Sequence, residues 1–216
     1  MPVALVVLSL IPAISGTLRL VEVLGGPHLL PENPRIAASP APVVVHILSV
    51  IPYAVLGAFQ FSARLRRRRP GWHRATGRVL VGLGLAVAFS GLWMTLFYPR
   101  QTGTGELAYV FRLCVGSAMA ASIVLGLAAI RRGDVAHHLA WMTRAYALAL
   151  GAGTQVFTQG IGNAVFGTSA LTTDLSLGAG WAVNLAVAEY VIRRAGPQRR
   201  SGRTSRVTVK AEVGSP

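Results

Sequence analysis

Apolar runs of roughly 20 residues, separated by short polar connections, fill this chain almost without interruption as far as Arg194. A run of that length covers a hydrocarbon core of about 30 Å, because an α-helix rises about 1.5 Å per residue. Inside lipid the helix satisfies its own backbone N–H and C=O groups, which no water is there to meet. The runs predict six spans: Val3 to Leu24, Pro42 to Phe61, Thr76 to Phe97, Leu107 to Ile130, Val135 to Gln159 and Leu175 to Arg194. Charged residues are only 13% of the sequence, against about 25% in ordinary globular chains, too few to clothe a surface facing water. The expected fold is therefore all-α, a polytopic membrane bundle over residues 1–194. From 195 to 216 the chain is rich in Arg, Ser and Gly with no apolar period, and reads as a disordered basic tail.

A formal net charge of +14 raises the question of nucleic acid, which the placement of the charges answers. The bases cluster at Arg64, Arg66 to Arg69, Arg74 and Arg78, then at Arg131 and Arg132, then from Arg193 to Lys210. These clusters fall on alternate connections. Lys and Arg in short loops resist translocation, so the pattern puts both termini and all three clusters in the cytoplasm of a bacterial cell, with the bundle in its inner membrane. Aromatic residues do not interleave the bases as they do in nucleic-acid binders, so the expected partners are the bilayer and anionic headgroups at the cytoplasmic face. A second copy of the chain and a membrane partner subunit both stay open. The first span lacks a basic n-region and contains Arg19 and Glu22, so it reads as a retained helix, not a cleaved signal.

Cys114 is the only cysteine, which removes disulfide frameworks, CxxC zinc sites and covalently attached haem. The phosphate-cradling GxxxxGKS loop, HExxH and GxSxG are absent as well. What remains is a set of polar residues inside the spans. His46, Tyr53 and Gln60 form a stripe at helical spacing along the second span; Arg144 and Gln155 share a face of the fifth; Arg78 stands near the start of the third. Together they form a candidate polar seam, read either as a proton or small-solute path or as an interhelical hydrogen-bond network. Arg19, Arg112 and Arg144 are expected to face protein, a cavity or a headgroup zone, since a lipid-facing charge at the bilayer centre costs at least about 2.5 kcal/mol. Gly77, Gly84 and Gly91 form a small-residue stripe suited to close helix contact. Asp134 is a candidate N-cap, and Glu189 is placed for an i,i+4 ion pair with Arg193.

Several of these residues carry a family resemblance. Trp72-His73-Arg74, followed by Gly77-Arg78, then Ser90-Gly91-Leu92, and the stretch from Arg132 to Tyr146 containing His138, Trp141, Met142 and Arg144, resemble the bacterial membrane-protein family called domain of unknown function 2306, DUF2306. His46 and Gln60 also fit its pattern, and His138 fits it better than His137. The resemblance runs from about Val43 to Arg194 and implies a multi-helix membrane fold without assigning a reaction.

The sharpest chemical candidate is a b-type haem between His73 and His138, two histidines at the cytoplasmic edge of different spans. The competing reading makes these histidines and their neighbouring arginines headgroup contacts and helix caps. His46 stands at the other side of the membrane. About fifteen residues of helix, near 22 Å, separate it from the inner edge, so it cannot share a metal with His73 or His138.

Overall fold

The computed structural model describes residues 2–212, with side chains as far as Arg194; the tail expected from 195 onward lies outside the residues whose side chains are described. Among the described residues every regular element is a helix. α1 (Pro2–Val23), α3 (Ala41–Gln60), α5 (Pro70–Phe97), α6 (Glu106–Arg131) and the Ala170–Arg194 part of α9 (Ala170–Glu212) are each long and apolar enough to cross a membrane. Two short helices, α2 (Pro34–Ala38) and α4 (Ala63–Arg68), lie in connections. The protein is thus a polytopic helical membrane bundle.

The span expected over Val135 to Gln159 is not one helix. It is divided at Leu150 into α7 (Val135–Ala149) and α8 (Gly151–Phe166), neither of which reaches the length of the other spans. No proline causes the break. Gly151 sits where a Cβ would run into the Trp181 indole, and Gly153 where one would run into the Leu8 backbone carbonyl. These glycines let α8 leave the line of α7 and press against α9 and α1. Asn184 of α9 spans the break: its Nδ2 donates to the Ala147 carbonyl at 3.1 Å and its Oδ1 accepts from Thr154 Oγ1 at 2.7 Å. A carbonyl in the last turn of α7 with no intrahelical donor thereby gains one.

Other boundaries move by less. The third span begins at Pro70, not Thr76, since proline is well suited to the first helical turn. The sixth begins at Ala170, not Leu175, where Ser169 Oγ accepts from the Thr172 N–H at 3.0 Å.

Neighbouring helices run antiparallel along the chain, so the Arg64–Arg78 and Arg131–Arg132 connections and Arg193 share one end of the bundle. α1, α3, α5, α6, α9 and α8 close a ring, each touching the next and α8 returning to α1. α7 also touches α3 and α5, and its Ala145, Tyr146 and Leu148 are buried. The bundle axis is therefore filled by α7 in the arginine-rich half. In the other half α8 has moved to the wall.

Candidate functional site

Where α8 leaves the axis, a cavity of about 490 Å³ remains, bounded by all the long helices. That volume lies within the usual range for small-molecule sites, about 300–1,000 Å³. Its floor, toward the middle of the bundle, is apolar: Ala54, Val87, Met119, Leu148 and the Trp181 ring line it. Its rim at the arginine-poor end is polar, with Arg35 of α2, Tyr98 and Gln101 after α5, and Arg112 of α6. His46 lies on the wall between rim and floor.

Ser90 sets the tautomer of His46. Ser90 Oγ donates its one proton to the Ala86 carbonyl at 2.5 Å, or to Val87 at 3.1 Å, and lies 3.0 Å from His46 Nδ1. The arrangement that satisfies all of these has Nδ1 carrying the hydrogen and Nε2 keeping its lone pair. Gly91 faces the ring, and a Cβ there would sit 3.6 Å from His46 Cε1, an ordinary contact.

Among the described residues, the hydrogen-bond partners of the two rim arginines are neutral. Arg112 Nη2 donates to Gln101 Oε1 at 2.9 Å; Arg35 donates from Nε to Asn33 Oδ1 at 3.3 Å and from Nη1 to the Pro99 carbonyl at 3.2 Å. The ion pairs among the described residues join other groups. Arg35 also lies 5.9 Å from the centre of the Tyr98 ring. Burial lowers the Arg35 guanidinium from its ordinary value and raises the Tyr98 phenol, whose hydroxyl donates to the Ser39 carbonyl. The nearest acid to Arg112 in electrostatic terms is Asp174, fully buried, whose two oxygens accept from the Gly105 N–H at 2.9 and 3.1 Å.

Of the candidate seam, the structure brings His46 and Gln155 to this cavity; Gln155 Nε2 donates to the Leu177 carbonyl at 3.1 Å. Tyr53 lies below the cavity in the packed core, its ring 6.0 Å from that of Tyr146. Tyr146 in turn lies 5.1 Å from Phe61 and donates to the Ala54 carbonyl at 2.6 Å. This aromatic layer separates the cavity from Gln60, whose Nε2 is buried without a hydrogen-bond partner, and from Arg144. Arg78 is exposed. Arg144 grips Glu189 with two bonds, Nε to Oε1 at 2.5 Å and Nη2 to Oε2 at 3.0 Å, and stacks over Trp141 at 4.7 Å. Glu189 therefore pairs across helices, not with Arg193 as its spacing suggests: Arg144 meets both carboxylate oxygens, while the exposed Arg193 acts on them only through its charge.

His138 and His73 lie within electrostatic range of one another at the arginine-rich end, both half-buried. His138 Nδ1 bonds to the Gly126 carbonyl at 2.9 Å, so that nitrogen carries the hydrogen and Nε2 has a free lone pair. Arg19 is paired with Glu22 at 2.6 Å, and Glu22 also accepts from the Leu29 and Leu30 N–H groups, which answers that charge within the first connection. Of the small-residue stripe, Gly84 faces Tyr53 and Ile123 and Gly91 faces His46, while Gly77 has open space.

The sequence matches the family described as "Predicted membrane protein (DUF2306)" over residues 43–192, more than half of the chain. The chain belongs to the DUF2306 family. The matched region takes in α3 to α9 and thus most of the cavity wall, leaving α1 and the Arg35 helix outside the DUF2306 match. No curated protein and no solved structure matches the chain. Arg35, Tyr98, Gln101 and Trp181 are site residues that sequence reasoning did not assign to a site. For Arg35 and Tyr98 the one signal was an arginine or aromatic beside an apolar span, which membrane interfaces produce everywhere; Gln101 in a loop and Trp181 within a span carried none.

Proposed function

We propose that the protein is a membrane-embedded binding protein that holds a small lipophilic molecule in the His46 cavity. The arginine-rich end faces the cytoplasm of a bacterial cell, by the positive-inside rule, and the cavity is reached from the opposite side of the inner membrane. The observation that carries this reading is the division of one span at Leu150, pinned by Asn184, which leaves about 490 Å³ unfilled on the axis of the bundle. Protein interiors are close-packed and rarely hold voids much larger than a water molecule. Divided helices near the midplane also frame the substrate sites of many membrane transporters. The exposed Arg67 to Arg69 run at the other end suits anionic headgroups.

The test is extraction of protein purified in native lipid discs, followed by mass spectrometry. A small molecule retained by the wild-type protein and lost from Gly91→Leu, whose side chain would fill the cavity beside His46, is the expected result. Identical extracts from the two proteins would count against the reading.

A second reading is favoured by the orientation of His138. An imidazole anchored through Nδ1 to a backbone carbonyl, with Nε2 free, is how metal-ligating histidines are usually held. His73, within electrostatic range of it, is the candidate second ligand of a b-type haem, which would supply one-electron chemistry at the arginine-rich end. A Soret band in protein from haem-replete cells, lost in His138→Ala, would support it; colourless protein from those cells would dispose of it.

A further inference from the structure

The polarity of the cavity is graded along its depth, and the gradient constrains the occupant. Between Val87 and Tyr98, α5 lines the cavity over about 16 Å at 1.5 Å per residue, the reach of a medium-length acyl or short isoprenoid chain. The deep part offers carbon and an indole. The rim offers two guanidiniums from different elements, Arg35 and Arg112, which feel each other's charge and share no carboxylate. Two like charges at the edge of a low-dielectric bundle repel, and neutral oxygens from Gln101, Asn33 and Pro99 compensate them only in part. Asp174 offsets some of that charge, but it forms no ion pair with Arg112 and both its oxygens are engaged by Gly105. Two other half-buried arginines do find acids: Arg19 has Glu22 and Arg144 has Glu189. Among the described residues the two rim arginines, like Arg66 at the arginine-rich end, have no such partner.

Resting on the cavity reading above, we infer that the occupant is a single-chain amphiphile with an anionic head, a carboxylate or a phosphate. Its head sits between Arg35 and Arg112 and its chain runs past His46 to the Trp181 floor. Guanidinium forks meet carboxylate and phosphate oxygens with short, charge-assisted bonds, whereas an alcohol head would leave both positive charges in place. His46, with a lone pair on Nε2, supplies an acceptor and not a third cation.

Isothermal titration of the full-length protein in phosphatidylcholine nanodiscs tests this, with empty discs as the partition baseline and dodecanoate, dodecyl phosphate, dodecanol and inorganic phosphate as probes. At least one anionic amphiphile is expected to bind about tenfold or more tighter than dodecanol, the scale of a hydrogen bond to a charged group. Whichever of dodecanoate and dodecyl phosphate binds tighter identifies the head. Arg112→Gln is expected to bring that preference within about threefold, with an unfolding midpoint in the same discs close to that of the wild type showing that the variant is folded. Dodecanol binding as tightly as the anions would overturn the anionic head and leave the cavity reading standing. Inorganic phosphate binding as tightly as dodecyl phosphate would overturn the chain. If no amphiphile binds above the empty-disc baseline, the cavity reading falls with the inference.

Discussion

The two halves of the bundle are built from the same long helices, yet one is packed through its axis and the other is hollow. In the arginine-rich half α7 runs inside the ring, and Tyr146 fits into the space left by Gly57, lies against Phe61 and Tyr53, and bonds to the Ala54 carbonyl. In the other half α8 is drawn outward. Gly153 lies on the Leu8 carbonyl, Gly162 on Ser176, and Gln155 on Gly180, while Thr158 donates to the Ser176 carbonyl at 2.7 Å. The cavity thus comes from small residues and hydrogen bonds that attract α8 to the wall, not from a lack of side chains large enough to fill the axis. In lipid, where apolar contact between helices gains nothing over contact with acyl chains, such close packing and polar bonding decide where a helix goes.

Removing the packed half's central side chain is the strongest way to erase the difference. Tyr146→Ala should destabilise the protein by about 3–5 kcal/mol, the range for an aromatic residue lost from a core. Tyr146→Phe, which keeps the ring and loses only the bond to Ala54, should cost about 1 kcal/mol. Reversible unfolding in mixed micelles measures both. If alanine and phenylalanine cost the same, the aromatic layer is not what closes the cavity from below.

The break itself is the next target. Asn184→Ala removes the bridge between α7 and α8 and leaves the Ala147 carbonyl without its donor, so a loss of about 1–2 kcal/mol is expected. That exceeds the average of about 0.6 kcal/mol for one interhelical hydrogen bond in a membrane, because two bonds and a freed carbonyl are involved. Amide exchange should rise around Leu150 more than in the middle of α6. Uniform exchange along the whole bundle would mean that Asn184 supports α9 generally and not the break.

How much of this contrast could be read from the residues follows from the range of each interaction. The long spans were legible because apolar length is a property of one segment, and the N-cap at Asp134 because capping is local. The demand that Arg112 face something other than lipid was equally legible, and it faces the cavity. Its position beside Arg35 was not, since nothing in the spacing of two residues on different elements brings them to one rim. The break at Leu150 was missed for a related reason: Gly151 and Gly153 fit a continuous apolar span, and only the Trp181 ring and the Leu8 carbonyl, from distant parts of the chain, turn them into a bend. Glu189 misled in the opposite sense. Its spacing to Arg193 fits a local pair, but Arg144 approaches from another helix with a bidentate grip.

The smallest expected effect tests where the packed half begins. Asp134 caps α7, accepting from the His137 backbone N–H at 3.1 Å and contacting His137 Nδ1 at 2.6 Å, both on the exposed side of the arginine-rich end. The backbone bond first, and then the ring, hold its carboxyl below the ordinary value of 3.8. A carboxyl with a depressed folded value contributes stability that is present above its unfolded value and is lost as pH falls through the folded one. Protection of the first turn of α7 should therefore be constant near neutral pH and decline only below about pH 4, where the unfolded-state carboxyl begins to protonate. Asp134→Asn keeps a capping oxygen and removes the titration, so its protection at α7 should lose that acidic decline relative to wild type. Because the site is exposed and screened, the cavity at the far end should not respond, and amphiphile affinity should be the same in the two proteins at neutral pH. A change in that affinity would show that the two halves are coupled through α7, and the filled and hollow regions would then have to be treated as one cooperative unit.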